Sequence, residues 1–467
     1  MFLHSNLIKT YAIFIVMGCS LSTTLSAQAG QPISYHNALM YALSHNPTIQ
    51  GSIASIEGAN GALKQANSMN WPKLDLEVNG ARSNNPMSVF GYKLSQGNAS
   101  FADFGAEQYT GPSTLYTKPN ALNHPGYYSN LDTAFNLTVP IYSGGKIKAQ
   151  QEQTRALLQS AQHGNEQAQN QLAYQLYASY EGFLTANQLT HVAEKQVTRA
   201  KEFLATTNAL KKQSITLDSD VLMAEAYLNS STLGLSNARL QAENELDNFR
   251  TLLGNPNSTL IPSQHTALNK QNAQLDTLIS QAMNHNVSIK TLSSRVQAEK
   301  ATIQASQALY KPQVNLQLRH DWNGNTLGSG LPSDTIALGA NWTLFSAGDR
   351  AGAVQSAAAN AKRAQFELDE QRNQLKLLLR QLTRNEAQFR YELALNRQLV
   401  HKEEEVINKL KQRFGRGLVP LGALLESQMK LTQSKAQELQ VLHQLRLNQA
   451  HILMLTNQLI PKASITA

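Results

Sequence analysis

The sequence predicts a mainly α chain with a membrane β part, built as two tandem repeats that each join a β-hairpin to long helices. Three observations predict it. Landmark residues recur in order along most of the chain, four segments alternate strictly between apolar and polar residues, and two helical stretches run very long without interruption.

Composition narrows the classes first. The 467 residues are 42% hydrophobic but only 15% charged, against ~25% charged in ordinary soluble chains. Polarity comes from Gln, Asn, Ser and Thr beside abundant Ala and Leu, which excludes a chain kept unfolded by charge. No stretch of the mature chain approaches the ~18 consecutive apolar residues of a spanning helix, which excludes a helical transporter. A single cysteine, Cys19, excludes a disulfide scaffold and any Cys-rich zinc or iron–sulfur site. The net charge of +8 comes without a basic run interleaved with aromatics, so nothing marks a nucleic-acid surface.

Residues 1–29 read as a signal peptide. Lys9 closes a polar opening, Tyr11–Gly18 is a short apolar centre, and Ala27-Gln28-Ala29 is a cleavage site before Gly30. Val16-Met17-Gly18-Cys19 offers a second reading, a degenerate lipoprotein signal acylated at Cys19. Both readings export the chain. Cleavage after Ala29 removes Lys9 and leaves a net charge of +7 without cysteine.

The repeats are 30–254 and 276–457, with a linker at 255–275 and a tail at 458–467. His45-Asn46-Pro47-Thr48-Ile49 returns as His285-Asn286-Val287-Ser288-Ile289, and Trp71-Pro72-Lys73-Leu74 as Lys311-Pro312-Gln313-Val314, both 240 residues later. Beyond the strands the offset is 203: Tyr142-Ser143-Gly144-Gly145 pairs with Phe345-Ser346-Ala347-Gly348, and Val221-Leu222 with Leu424-Leu425. The difference of 37 residues falls within 79–138 of the first copy.

Each copy then reads as helix, strand, loop, strand, long helix, tip, helix. The first helix is expected from Tyr35 to Met69, stopped at Pro72, which has no N–H to continue it. Strands are expected at about 72–80 and 133–142, where Leu74, Leu76 and Val78 alternate with Asp75, Glu77 and Asn79, and Phe135, Leu137, Val139 and Ile141 with Ala134, Asn136 and Thr138. In the second copy they fall at about 312–320 and 335–345, the latter through Ile336, Leu338, Ala340, Trp342 and Leu344. Glycine stops precede long helices at about 146–212 and 349–413, each roughly 100 Å at ~1.5 Å per residue.

Four amphipathic strands cannot close alone, because the smallest membrane barrels have ~8; two chains would supply ~8 and three ~12. The Asn-, Ser-, Gly- and aromatic-rich loops 81–131 and 324–333 suit the outer side of such a barrel. The alternative is a four-stranded sheet packed on the chain's own helices.

Taken together, Ala38-x-x-x-Ala42-x-x-x-Asn46-Pro47, Trp71-Pro72, Val139-Pro140-Ile141-Tyr142-Ser143-Gly144-Gly145, Trp342-Thr343-Leu344-Phe345-Ser346-Ala347-Gly348 and Gly417-Leu418-Val419 give a chain that resembles the TolC-type outer-membrane efflux proteins. The resemblance covers essentially all of the mature chain. It implies a homotrimer with a twelve-stranded β-barrel in the outer membrane and an α-helical barrel across the periplasm. Segments 255–275 and 458–467 would belong to a belt around the tunnel. The implied partners are outer-membrane lipid, a periplasmic adaptor (membrane fusion) protein and an inner-membrane pump or ABC exporter, in tripartite efflux or type I secretion. No cofactor is implied.

The resemblance also places the gate at the periplasmic tips, Gln213–Ser219 and Gly415–Gly422. Where the family has an acidic pair, this chain has Ala423 and Glu426. Three-fold symmetry would make Glu426 a ring of carboxylates that raise one another's pKa; the plainer reading is a solvated first-turn residue favoured by the helix dipole. The family's closed-state lock joins an acid, here Asp220, to a tyrosine and an arginine, here Phe414 and Val419. That lock cannot form, and Arg413 or Arg416 is the substitute to look for. Asp218 and Asp220 equally suit helix capping. Ser214, Ile215, Thr216, Gly417, Leu418 and Val419 occupy the tips that the family presents to its adaptor.

No enzyme is expected. Gly144-Gly145-Lys146 lacks the remainder of a phosphate loop, and no nucleophile-elbow, zinc-protease or EF-hand pattern occurs. His401-Lys402-Glu403-Glu404-Glu405 reads as a solvated helix face rather than a metal site. Arg319-His320-Asp321-Trp322 reads as a strand end packing polar and aromatic side chains at a membrane edge. The competing function is a periplasmic coiled-coil adaptor or structural protein of an export complex, which would not need four alternating strands.

Overall fold

The computed structural model describes residues 30–268 and 273–461. The signal-peptide and Cys19 readings, and the belt positions 269–272 and 462–467, lie outside the described residues. Repeat one comprises β1 (Gln31–Ile33), α1 (Tyr35–His45), α2 (Pro47–Ser68), β2 (Lys73–Ser83), α3 (Pro86–Ser95), α4 (Asn120–Asn123), β3 (Tyr128–Tyr142), α5 (Lys146–Lys212) and α6 (Asp218–Leu252). After β4 (Leu260–Pro262), repeat two comprises α7 (Leu275–His285), α8 (Val287–Gln307), β5 (Gln313–Gly324), β6 (Leu331–Asn341), α9 (Asp349–Phe414) and α10 (Leu421–Leu455).

The helix expected over Tyr35–Met69 is two helices, divided at Asn46. This residue is extended (φ −69°, ψ 127°), as a residue before proline prefers. Its Oδ1 accepts the Thr48 N–H at 2.9 Å, and its Nδ2 donates to the carbonyl of Leu252, the last residue of α6, at 2.9 Å. Asn286 repeats the arrangement at φ −61°, ψ 125°. Its Oδ1 accepts the Ile289 N–H at 3.2 Å, and its Nδ2 donates to the Leu455 carbonyl at the end of α10 at 3.0 Å. Repeat two has Val287 where repeat one has Pro47, so the asparagine rather than the proline divides the helix. Both asparagines are buried. Each satisfies an orphan donor at one helix start and an orphan acceptor at another helix end.

The joints splice α6 to α2 and α10 to α8. Along α5 the antiparallel partners follow in unbroken order: Ala66 beside Gln151, Ser52 beside Asn165, Glu245 beside Gly182, Arg239 beside Glu194 and Ser231 beside Gln196. On the opposite side, α5 meets α8 through Gln153–Thr302 and α10 through Arg199–Gln428. The lateral order is therefore α2/α6, α5, α8/α10, α9. Where the joints meet α5, Tyr35, Tyr177, Tyr180 and Phe249 are buried edge to face under the parallel pair β1–β4. Beside them, the fully buried Glu181 carboxylate accepts from Arg446 at 3.0 Å and from the Thr266 N–H at 3.2 Å, with His265 Nδ1 at 2.7 Å.

The four long strands form one antiparallel sheet in the order β2-β3-β5-β6. Leu74, Leu137, Leu318 and Ile336 stand in one cross-strand row. This face is not packed on the chain's own helices, contrary to the alternative above: Leu74, Leu76, Ile336 and Leu338 are 61–77% exposed. The other face is polar. Arg319 there bonds Glu77 (3.2 Å), Asp132 (2.5 Å) and Asp321 (3.3 Å). Arg319–Trp322 thus lies within β5 rather than at its end. The last strand stops at Asn341 instead of about 345, because its partner β5 begins at Gln313, opposite Asn341; beyond it Arg350 donates to the Thr343 and Leu344 carbonyls (2.5 and 2.9 Å). Its guanidinium also sits 4.8 Å from the centre of the Tyr310 ring.

Replacing Asn46 or Asn286 by Ala removes a cap and orphans a buried carbonyl, for an expected loss of about 1–3 kcal/mol each. The denaturant midpoint of the helical circular-dichroism signal should fall in both variants. An unchanged midpoint in both would show that the joints do not hold the helices.

Candidate functional site

At the end remote from the sheet, α5–α6 and α9–α10 turn side by side. The 203-residue offset pairs Ser214 with Gly417, and both are left-handed, at φ +59° and +69°. Each turn is closed by backbone bonds back to the outgoing helix: Ile215 N–H to Leu210 (3.0 Å) and Leu418 N–H to Arg413 (3.0 Å). The turns touch, since a Cβ at position 417 would lie 2.8 Å from Ile215 Cγ2. Glycine is required there twice over, by φ and by the neighbour. Leu210, Phe414, Leu421 and Leu424 form the buried floor. Ile215 and Leu418 remain exposed beside a cleft of about 330 Å³ that reaches Thr216, Asp220 and Val419.

The acids stand apart from one another. Asp220 Oδ2 accepts from the Thr216 hydroxyl and from the Leu217 N–H (3.2 Å), closing the first turn of α6. Asp218 pairs with Lys211 at 2.8 Å. Among the described residues Arg413 and Arg416 make no side-chain hydrogen bond or ion pair, so the substitute lock considered for Asp220 is absent within one chain. Phe414 packs as an apolar plug, with no hydroxyl to offer. Glu426, one turn into α10, accepts from Lys430 at 2.8 Å. That hydrogen bond, and then the ammonium charge, hold its carboxyl below the ordinary range. This is opposite to the direction expected of a like-charge ring, and it acts inside a single chain. The i, i+4 spacing of Glu before Lys is the sequence signal for this pair.

Other sequence candidates resolve differently. His401 pairs with Glu405 (3.6 Å), and Glu404 pairs with Lys435 on α10. Among the described residues no group of three or more His, Cys, Asp and Glu side chains could hold a metal ion. Gly144 and Gly145 are both left-handed (φ +67° and +92°) and turn β3 into α5. Within the described residues no helix is long and apolar enough to cross a membrane.

The sequence profile of the outer membrane efflux proteins matches residues 38–255 and again 278–458, once per repeat. The chain belongs to the outer membrane efflux protein family. The function that membership carries is that of an outer-membrane efflux channel, and family members are transport proteins rather than enzymes. Solved structures share the fold of this efflux protein. The outer membrane protein VceC of Vibrio cholerae is 16% identical with a TM-score of 0.75, over 90% of this chain and 96% of that one. The CmeC channel of Campylobacter jejuni is 14% identical with a TM-score of 0.76, over 97% and 94%. The MtrE channel of Neisseria gonorrhoeae, in an open state, is 13% identical with a TM-score of 0.73, over 93% and 95%. No curated protein sequence matches the chain.

Gly417→Ala should strain the second tip by about 1 kcal/mol or more, and Ser214→Gly should relax the first by a similar amount. Limited proteolysis at the tips should quicken in the former and slow in the latter. Equal rates in both would mean that the turns do not depend on their left-handed residues.

Proposed function

We propose that three copies of this chain form a channel-tunnel, with a twelve-stranded barrel in the outer membrane and a helical tunnel extending into the periplasm. It carries substrates from the periplasm or an inner-membrane pump to the exterior. The supporting observation is that both flanks of the chain are unfinished. β2 and β6, with 11 residues each, leave their outer edges unpaired, and exposed edges of that length invite pairing. Strands of ~9–11 tilted residues suit a bilayer. Below them, the outermost helix α9 exposes Tyr391, Leu395, Leu399 and Val406 along one stripe. The opposite flank, α6, exposes Leu222, Leu233 and Leu240. Joining one flank to the next closes sheet and helices together, with the apolar sheet face toward lipid and the Arg319 face inward. Repeats 30–254 and 276–457 supply the two halves of each third, and 255–275 with 458–467 the belt.

In this reading the chain is exported by its signal peptide, and the tips are the periplasmic entrance. Glu426 is its pore-facing carboxylate, and Asp218 and Asp220 fix the neighbouring turn. Ser214–Thr216 and Gly417–Val419 meet an adaptor that links to an inner-membrane pump or ABC exporter. Tripartite efflux and type I secretion both use this arrangement.

Single-channel conductance of purified protein tests it. A cation-preferring conductance whose selectivity falls in Glu426→Ala is expected. Because Lys430 holds the Glu426 carboxyl down, Lys430→Met should let its pKa rise. Loss of cation preference on acidification should then begin at higher pH than in the unsubstituted protein. Conductance indifferent to both substitutions would remove Glu426 from the entrance. A folded protein that conducts nothing and leaves membranes in a carbonate wash would favour the periplasmic adaptor.

A further inference from the structure

The 37 residues by which repeat one exceeds repeat two lie between β2 and β3, and they are folded. Asn85 caps α3, its Oδ1 accepting from the Met87 and Ser88 N–H groups at 3.1 and 3.2 Å. Val89 is buried, and Phe90 meets Phe104 edge to face at 5.3 Å. Lys93 pairs with Asp103, and chiefly that hydrogen bond holds the Asp103 carboxyl at about 2. The segment therefore has a small core of its own. Between β5 and β6, repeat two has only residues 325–330.

One buried side chain ties this segment to the sheet. Gln96, at the end of α3, points its Nε2 at Asn130 Oδ1 (2.8 Å) and the Ser129 carbonyl (2.9 Å), with the Gly324 carbonyl at 3.5 Å. Its Oε1 accepts from the Tyr128 hydroxyl at 3.0 Å and from Asn98 at 3.3 Å. Two amide protons and two lone pairs are thus all engaged. Asn130 passes the bond on to Asn323 at 2.8 Å. Tyr128 and Asn130 share a face of β3 with Asp132 and Asn136, two residues apart along the strand, as Asn323 shares that face of β5 with Arg319. The contact is therefore on the polar face, at the strand ends farthest from the helices.

We propose that residues 84–127 form a cap folded over the outer mouth of the barrel, seated by Gln96 as its positioning residue, and that this cap sets the size limit for solutes at that end. The inference rests on the reading that the polar face lines the channel. It requires no movement at the periplasmic tips, and a trimer would carry three such caps.

The test uses a cysteine on the polar face below the cap, Thr138→Cys, in intact cells. A small impermeant maleimide and a bulky PEG-maleimide are added outside, with the unsubstituted chain as control. The small reagent should label Thr138→Cys at the same rate whether or not Gln96 is intact, which also reports a folded barrel. The bulky reagent should label slowly behind a seated cap. It should label about tenfold faster in Gln96→Ala, where the buried partners lose their bonds and the seated population falls. Replacement of 84–127 by the second copy's 325–330 should do the same. Equal bulky-reagent rates with and without the cap would overturn the inference while leaving the channel intact. If both reagents label only after lysis, the outward-opening barrel fails, and the cap with it.

Discussion

The architecture depends on how an interrupted helix is made to behave as a continuous one. α5 and α9 run for 67 and 66 residues, but the helices beside them come in pieces from distant parts of the sequence. A break in the middle of a packed helix layer would leave up to four bare N–H groups and four bare carbonyls facing each other. Asn46 and Asn286 each offer an acceptor to one piece and a separate N–H donor to the other, two functions that a carboxamide carries on different atoms and a carboxylate lacks. The joined dipoles also run head to tail, with the negative end of α6 against the positive start of α2. Remove that junction and both the tyrosine cluster and the relative height of sheet and tips lose their reference.

Much of this was legible in the residues, because it rests on periodicity. Leu74, Leu76 and Val78 against Asp75, Glu77 and Asn79 mark a two-faced strand without any knowledge of its neighbours, and the 203-residue offset reappears as matched left-handed turns at Ser214 and Gly417. What failed was local inference about where elements end. Pro47 is compatible with a first helical turn, so the break at Asn46 leaves no mark of its own there; its trace in the sequence is Val287, beside an identical asparagine in the second copy. The alternation through Trp342 and Leu344 is real, yet the partner strand begins only at Gln313, and Arg350 of the next helix takes the Thr343 and Leu344 carbonyls. Contacts of that kind join residues through space and leave no periodic trace.

The tip shows a second limit. Asp218, Asp220 and Glu426 stand out in the sequence as acids, but their partners in the fold are Lys211, Thr216 and Lys430. Each acid is already engaged with a residue of its own turn or helix. Charge at the tips is therefore attenuated locally, within one chain. Gln96 was invisible for a related reason: a single glutamine in a polar loop carries no pattern, and its weight comes from burial.

An unbroken α5 lying against both spliced rows has a consequence for how such a chain can change over time. One residue added within α5 would advance every later side chain by ~1.5 Å and rotate it by ~100°, throwing the lower row out of step with the upper. The helices act as rulers whose lengths are fixed jointly, so a gain or loss must fall where the backbone leaves the ruler. The two copies within the chain agree with this. Its two halves keep one constant spacing from Tyr142 through α6, matched by Phe345 through α10, and the whole discrepancy in length has collected in the hairpin loops.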